Sequence, residues 1–70
     1  MNEVYEWTIT WVLYHLDYID TPEPDDIMRI TEETLRDYDM KNPDVLSDNE
    51  WDDLFVGVTD TLISRYGLTE

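Results

Sequence analysis

Three prolines set the first limit on this chain. Pro22, Pro24 and Pro43 lack a backbone N–H and hold φ near −65°, so none belongs inside a helix or a central strand. They leave three segments, each long enough for one helix of ordinary length. Residues 4–19 read V-Y-E-W-T-I-T-W-V-L-Y-H-L-D-Y-I, with eleven apolar or aromatic residues of sixteen. At 100° per residue these sort into two stripes. Val4, Trp7, Trp11, Tyr14 and Tyr18 form an aromatic one. Tyr5, Ile9, Leu13 or Val12, Leu16 and Ile19 form a more aliphatic one. Glu3, Glu6, Thr10 and Asp17 fill one polar gap, Thr8 and His15 the other. A helix apolar on two faces is the central element of its domain or half of an interface. The rival reading is a strand at about residues 5–13, because Tyr5, Trp7, Ile9, Trp11 and Leu13 alternate with period two. Helix is preferred because the pattern continues to Ile19 and no partner strand is evident.

Two further helices follow. Pro22 or Pro24 suits the first turn of the second, which runs to about Tyr38 with a thin apolar side of Ile27, Ile30, Thr31, Leu35 or Thr34, and Tyr38. Past Asn42-Pro43, Ser47 and Glu50 make the S-x-x-E pattern of a capping box. Trp51, Phe55 with Leu54, Val58, Leu62 and Tyr66 then recur at spacings of three and four, and Gly67 is placed to close the helix in the left-handed conformation. The expected fold is all-α, a single three-helix domain over residues 1–70. The alternative is α+β, with the strand at 5–13.

Charge decides which functions such a domain suits. Eighteen Asp and Glu against four Lys and Arg give a formal charge of −14, beyond the magnitude of about 2–8 typical of a small domain. With 41% hydrophobic residues the chain has enough apolar material to fold, so it reads as a folded polyanion and not as an acidic tail. Nucleic acid and anionic membrane are poor partners for it, and basic proteins are good ones. No apolar run approaches the roughly 20 residues that span a bilayer, and no signal peptide is recognisable, so we expect a cytoplasmic protein. There is no cysteine, hence no disulfide or thiolate metal site.

The acids are unevenly spread. Residues 20–53 hold thirteen of them against Arg29, Arg36 and Lys41, a net −10. Some have a structural explanation. Glu23, Asp25 and Asp26 open the second helix, and Asp48, Glu50, Asp52 and Asp53 open the third, where carboxylates complement the helix dipole. Glu32 can pair with Arg36, and Arg29 with Asp25 or Glu33. The remainder oppose folding. Asp17, Asp20, Asp37 and Asp39 lie at helix ends that favour cations, while Glu33–Asp37 and Asp48–Asp52 are like charges four residues apart. Charge kept where it opposes folding suggests a role outside folding. Residues 23–39 carry seven acids over roughly 24–26 Å of helix, one per roughly 3.5 Å. Phosphates along one DNA strand come at about one per 3.4 Å.

With its acid clusters T-P-E-P-D-D (21–26), T-E-E-T-L-R-D-Y-D (31–39) and S-D-N-E-W-D-D (47–53), the chain resembles the phage-encoded DNA-mimic proteins. In size and charge it is most similar to a small Bacillus phage inhibitor of the histone-like nucleoid protein HU. The resemblance rests on size, charge and texture over the whole chain and transfers no individual residue. It implies an inhibitor that occupies the DNA-binding surface of a basic host protein, HU or similar, in the host bacterial cytoplasm at the nucleoid. From charge placement alone, the contact residues expected are Glu23, Asp25, Asp26, Glu33, Asp37, Asp39, Asp48, Asp52 and Asp53. A different class is the alternative: an immunity or antidote protein neutralising a basic toxin or nuclease. A third reading is acid-rich solvation in a high-salt organism.

Other chemistry finds little support. A calcium loop starting at Asp48 has Asp53 in place of the glycine and Thr59 in place of the terminal glutamate, and one starting at Asp37 has Lys41 at a ligand position and Asn42 in place of the glycine. The lone histidine, His15, has no partner ligands, so no metal site and no cofactor are expected. Two glycines cannot build a phosphate-cradling loop, and 70 residues leave little room to shift a carboxylate pKa, so we expect no enzyme. The stripe of Trp7, Trp11, Tyr14 and Tyr18 is more often core than interface. Its alternative role is a two-fold homodimer contact that would also extend the acidic surface.

Overall fold

In a computed structural model of the protein, which describes residues 2–67, three helices pack around one core. They are α1 (Asn2–Leu16), α2 (Pro24–Lys41) and α3 (Asp48–Arg65). No strand occurs among the described residues, so residues 5–13 are helical and the strand alternative falls. α1 ends at Leu16, three residues before the apolar pattern does. The chain then tightens, with the Tyr18 and Ile19 N–H groups donating to the carbonyls of His15 and Leu16. α2 runs past Tyr38 to Lys41, because nothing breaks it before Pro43.

Both later helices start as their residues dictate. Pro24 occupies the first turn of α2, where a missing N–H costs nothing, and the Glu23 N–H donates to the Asp26 carboxylate at 3.0 Å. At α3 the exchange is reciprocal. The Glu50 N–H donates to Ser47 Oγ at 3.2 Å, and the Ser47 N–H to Glu50 Oε1 at 3.1 Å. Gly67 follows α3 at φ 68°, a conformation that would strain a residue with a Cβ.

Eight aliphatic side chains form the interior: Val12, Leu16, Ile27, Ile30, Leu35, Leu54, Val58 and Leu62. Each contributes about 1.5–3 kcal/mol by leaving water. Four threonines are buried with them, Thr8, Thr31, Thr34 and Thr59. Thr8 corrects the expected polar gap. The buried line of α1 is Thr8–Val12–Leu16, and Tyr5, Ile9 and Leu13 flank it. The Thr8 hydroxyl is satisfied by the Val4 carbonyl at 2.7 Å, which leaves its methyl free to pack. Thr34 and Thr59 bond back to Ile30 and Phe55 at 2.8 Å. Thr31 Oγ1 is buried without a hydrogen-bond partner among the described residues.

α2 is the central element, packing extensively on both neighbours, whereas α1 and α3 touch least. α1, expected as the candidate centre, is thus a flank. Its contact with α3 passes through Tyr5, whose hydroxyl meets Thr61 Oγ1 and whose ring lies 3.3 Å from where a side chain at Gly57 would begin. The Trp7–Tyr38 contact, with ring centroids 5.3 Å apart, sets the start of α1 beside the end of α2. The short connection 42–47 likewise returns α3 beside that end.

Candidate functional site

The core uses one face of each helix and leaves the outward faces to be chosen freely. On α1 the outward face is aromatic. Tyr38, Trp7, Trp11, Tyr14 and Tyr18 form a continuous ladder, with successive centroids 5.3, 6.2, 5.8 and 5.6 Å apart. Trp7 is half-buried against Tyr38, but Trp11 is 43%, Tyr14 53% and Tyr18 75% exposed. The usual fate of such a stripe, burial in the core, is therefore not the one found. The Tyr18 hydroxyl donates to that of Tyr14 at 3.2 Å. That bond, then partial desolvation and the Asp17 carboxylate, hold the Tyr18 proton above the usual tyrosine range.

The outward face of α2 is charged, and its acids divide by what they do. Asp26 serves the fold. It accepts from the Glu23 N–H and, at 3.2 Å, from Arg29, and these bonds hold its carboxyl below the usual range. Arg29 therefore pairs with Asp26, and not with Asp25 or Glu33 as expected. Glu32 pairs with Arg36 as the spacing predicts. Asp37 is not stranded at a helix end, because α2 continues for another turn and brings Lys41 to 3.2 Å. Glu33, Asp25 and Asp39 are exposed with no ion pair among the described residues.

On α3 the Glu50 carboxyl is likewise committed to the cap and held below its usual range by the Ser47 N–H. Asp48, Asp52 and Asp53 are exposed, with no ion pair among the described residues. Glu23 and Asp25 stand at the start of α2, roughly 18–24 Å along the helix from Asp37 and Asp39. The nine acids expected as contacts thus do not share one face: Glu33 and Asp37 look into the side of α2 that meets α1, while Asp39, two residues on, lies nearly opposite Asp37 around the helix.

The two outward faces meet in a groove of about 670 Å³ between α1 and α2. Trp7, Trp11, His15 and Tyr18 line one wall. Arg29, Glu33, Asp37 and Lys41, each one turn beyond the last, line the other. Ile30 and Thr34 lie between them. His15 is exposed and accompanies the ladder, its Nδ1 2.8 Å from the Trp11 carbonyl oxygen. Sequence reasoning placed the aromatics and the acids on separate faces and missed that they share a cleft. The signal was present in the matching four-residue periods of 7–11–15 and 29–33–37–41, but only the packing of α1 on α2 aligns them.

No group of three or more metal-binding side chains occurs among the described residues. No helix among them is long and apolar enough to cross a membrane. Comparison with models of known protein families, with curated proteins and with solved structures finds no match.

Proposed function

We propose that the chain is an inhibitory DNA mimic: it binds the DNA-binding surface of a basic host protein, histone-like HU or one like it, and blocks access to DNA. One observation carries this reading. Glu33, Asp39, Asp48, Asp52 and Asp53 are exposed and make no ion pair or capping hydrogen bond among the described residues, yet two packed helices carry them. A disordered acidic tail would have to order its charges on binding; a folded helical surface offers them already placed, at lower entropic cost. Carboxylates in place of phosphates favour rapid association and a steep loss of affinity with salt. On this reading the protein acts at the nucleoid in a bacterial cytoplasm. The exposed ladder of Trp11, Tyr14 and Tyr18 is where a second copy would pack, if the inhibitor works as a dimer.

A gel-shift competition tests the reading. Purified HU bound to a short labelled duplex should release DNA as this protein is added, with release weakening as salt rises. Undiminished DNA binding at large excess removes HU as the target. Protection of cells against a basic nuclease toxin, without displacement of any DNA-binding protein, would instead select the antidote reading.

A further inference from the structure

We infer that the groove between α1 and α2 receives a single arginine side chain of the basic partner, its guanidinium lying between the indole wall and the Glu33–Asp37 pair. The inference rests on the DNA-mimic reading and deepens it by naming which partner group enters which part of this molecule. Three features of the cleft select that group. Trp7 and Trp11 offer aromatic faces, and Trp11 is 43% exposed although it belongs to a wall. A cation over an indole is attracted by the ring quadrupole, and a planar guanidinium also stacks there. Opposite them, Glu33 and Asp37 stand one helical turn apart, about 5.4 Å. That is a like-charge pair whose repulsion an inserted cation relieves. Ile30 and Thr34 between the walls suit the aliphatic stem of a long side chain.

The ends of the groove limit the occupant to one cation. Along α2 the row reads Arg29, Glu33, Asp37, Lys41, positive at both ends and negative in the middle. Asp37 already shares its charge with Lys41, and Arg29 is turned to Asp26. The unneutralised carboxylate is Glu33, at the centre. A continuous run of basic residues would meet Arg29 or Lys41, whereas one arginine with uncharged neighbours would not. Lysine, with a compact, strongly hydrated ammonium, gains less from the indoles.

Proton–nitrogen correlation spectra of the labelled full chain, titrated with acetyl-Gly-Arg-Gly-amide, test this directly. The indole N–H signals of Trp7 and Trp11 should move, while that of Trp51, stacked on Phe55 outside the groove, stays as an internal reference. The isosteric uncharged citrulline peptide should leave all three in place, and the lysine peptide should act more weakly than arginine. Trp11→Ala and Glu33→Gln should each weaken arginine binding about 5-fold or more, with Asp60→Asn, exposed on α3 outside the groove, unchanged. Glu33 lies on the exposed face of α2, so Glu33→Gln tests the groove even if Trp11→Ala perturbs packing.

Equal shifts with citrulline, or full binding by both groove variants, overturn the inference. So do indole signals that move with protein concentration alone, which would give the groove to a second copy. The two proposals fail separately. Displacement of DNA from the basic protein by Trp11→Ala and Glu33→Gln as readily as by the parent would remove the groove and leave the mimic standing. Specific arginine binding without any displacement would do the reverse.

Discussion

α1 and α2 are alike on the inside and opposite on the outside. Both bury aliphatic side chains and threonine, Thr8–Val12–Leu16 on one and Ile27, Ile30, Thr31, Thr34 and Leu35 on the other. Outward, α1 shows indoles and phenols while α2 shows carboxylates. Folding requires the inward likeness, since both faces close on one core. It requires neither outward choice, because exposed aromatics gain little from the fold and unpaired acids add repulsion to a chain at −14. The difference teaches where to look for function: on the faces that folding left unconstrained.

The comparison breaks if inward and outward substitutions behave alike. The largest effect should come from inside. Leu35 is fully buried, and Leu35→Ala should cost about 2–5 kcal/mol, a large share of what a 70-residue domain has, read as a lowered urea midpoint. Next comes the outward acidic set. Replacing Glu33, Asp39, Asp48, Asp52 and Asp53 together by their amides should weaken binding to the basic partner about 100-fold at low salt, at roughly 0.5 kcal/mol per charge. Helix content by circular dichroism should be unchanged. Unchanged affinity in that variant would remove the functional reading of the acids.

Smaller effects sharpen the boundary between the faces. Thr31→Val removes a buried hydroxyl that has no partner among the described residues and should stabilise by about 1 kcal/mol. Thr34→Val, whose hydroxyl bonds to Ile30, should gain less. Calorimetry on the pair decides whether the inward threonines matter for shape alone. Ser47→Ala should cost about 1 kcal/mol through the lost cap.

Solution conditions separate the two roles of charge. Added salt should raise the melting temperature slightly, by screening self-repulsion, while weakening partner binding. A fold that collapses at low salt would point instead to a halophilic chain. Acid acts on the caps. Asp26 and Glu50 have folded pKa values below their ordinary values of 3.8 and 4.5. The unfolded chain therefore takes up protons first as pH falls. The stability these caps supply is full above those ordinary values and is lost as pH falls through and below them. The Asp26→Asn and Glu50→Gln variants should show a smaller loss of this kind in an acid melt.

Much was legible in the residues, for local reasons. Proline breaks, the Ser47–Glu50 box and Gly67 act within a few positions of themselves, so the number of helices and the start and close of α3 follow from sequence. Glu32–Arg36 lies within one turn and was equally readable. The burial of Thr8 was not. A hydroxyl reads as polar until a carbonyl four residues back takes its hydrogen bond and lets the methyl face inward. Nor was the extension of α2 to Lys41, which changed Asp37 from a stranded acid to a paired one.

By itself, the amino-acid sequence determined the three helices, the strong negative charge and its concentration in residues 20–53, because these depend on composition and near-neighbour chemistry. Tertiary packing alone decided that α2 is central, that the aromatic stripe faces water, and that indoles and carboxylates line one groove. Those outcomes depend on which helix faces meet, and several pairings of amphipathic helices bury comparable apolar area. The fit of Tyr5 against Gly57, of Trp7 on Tyr38 and of the threonine-lined interior belongs to this arrangement of the helices.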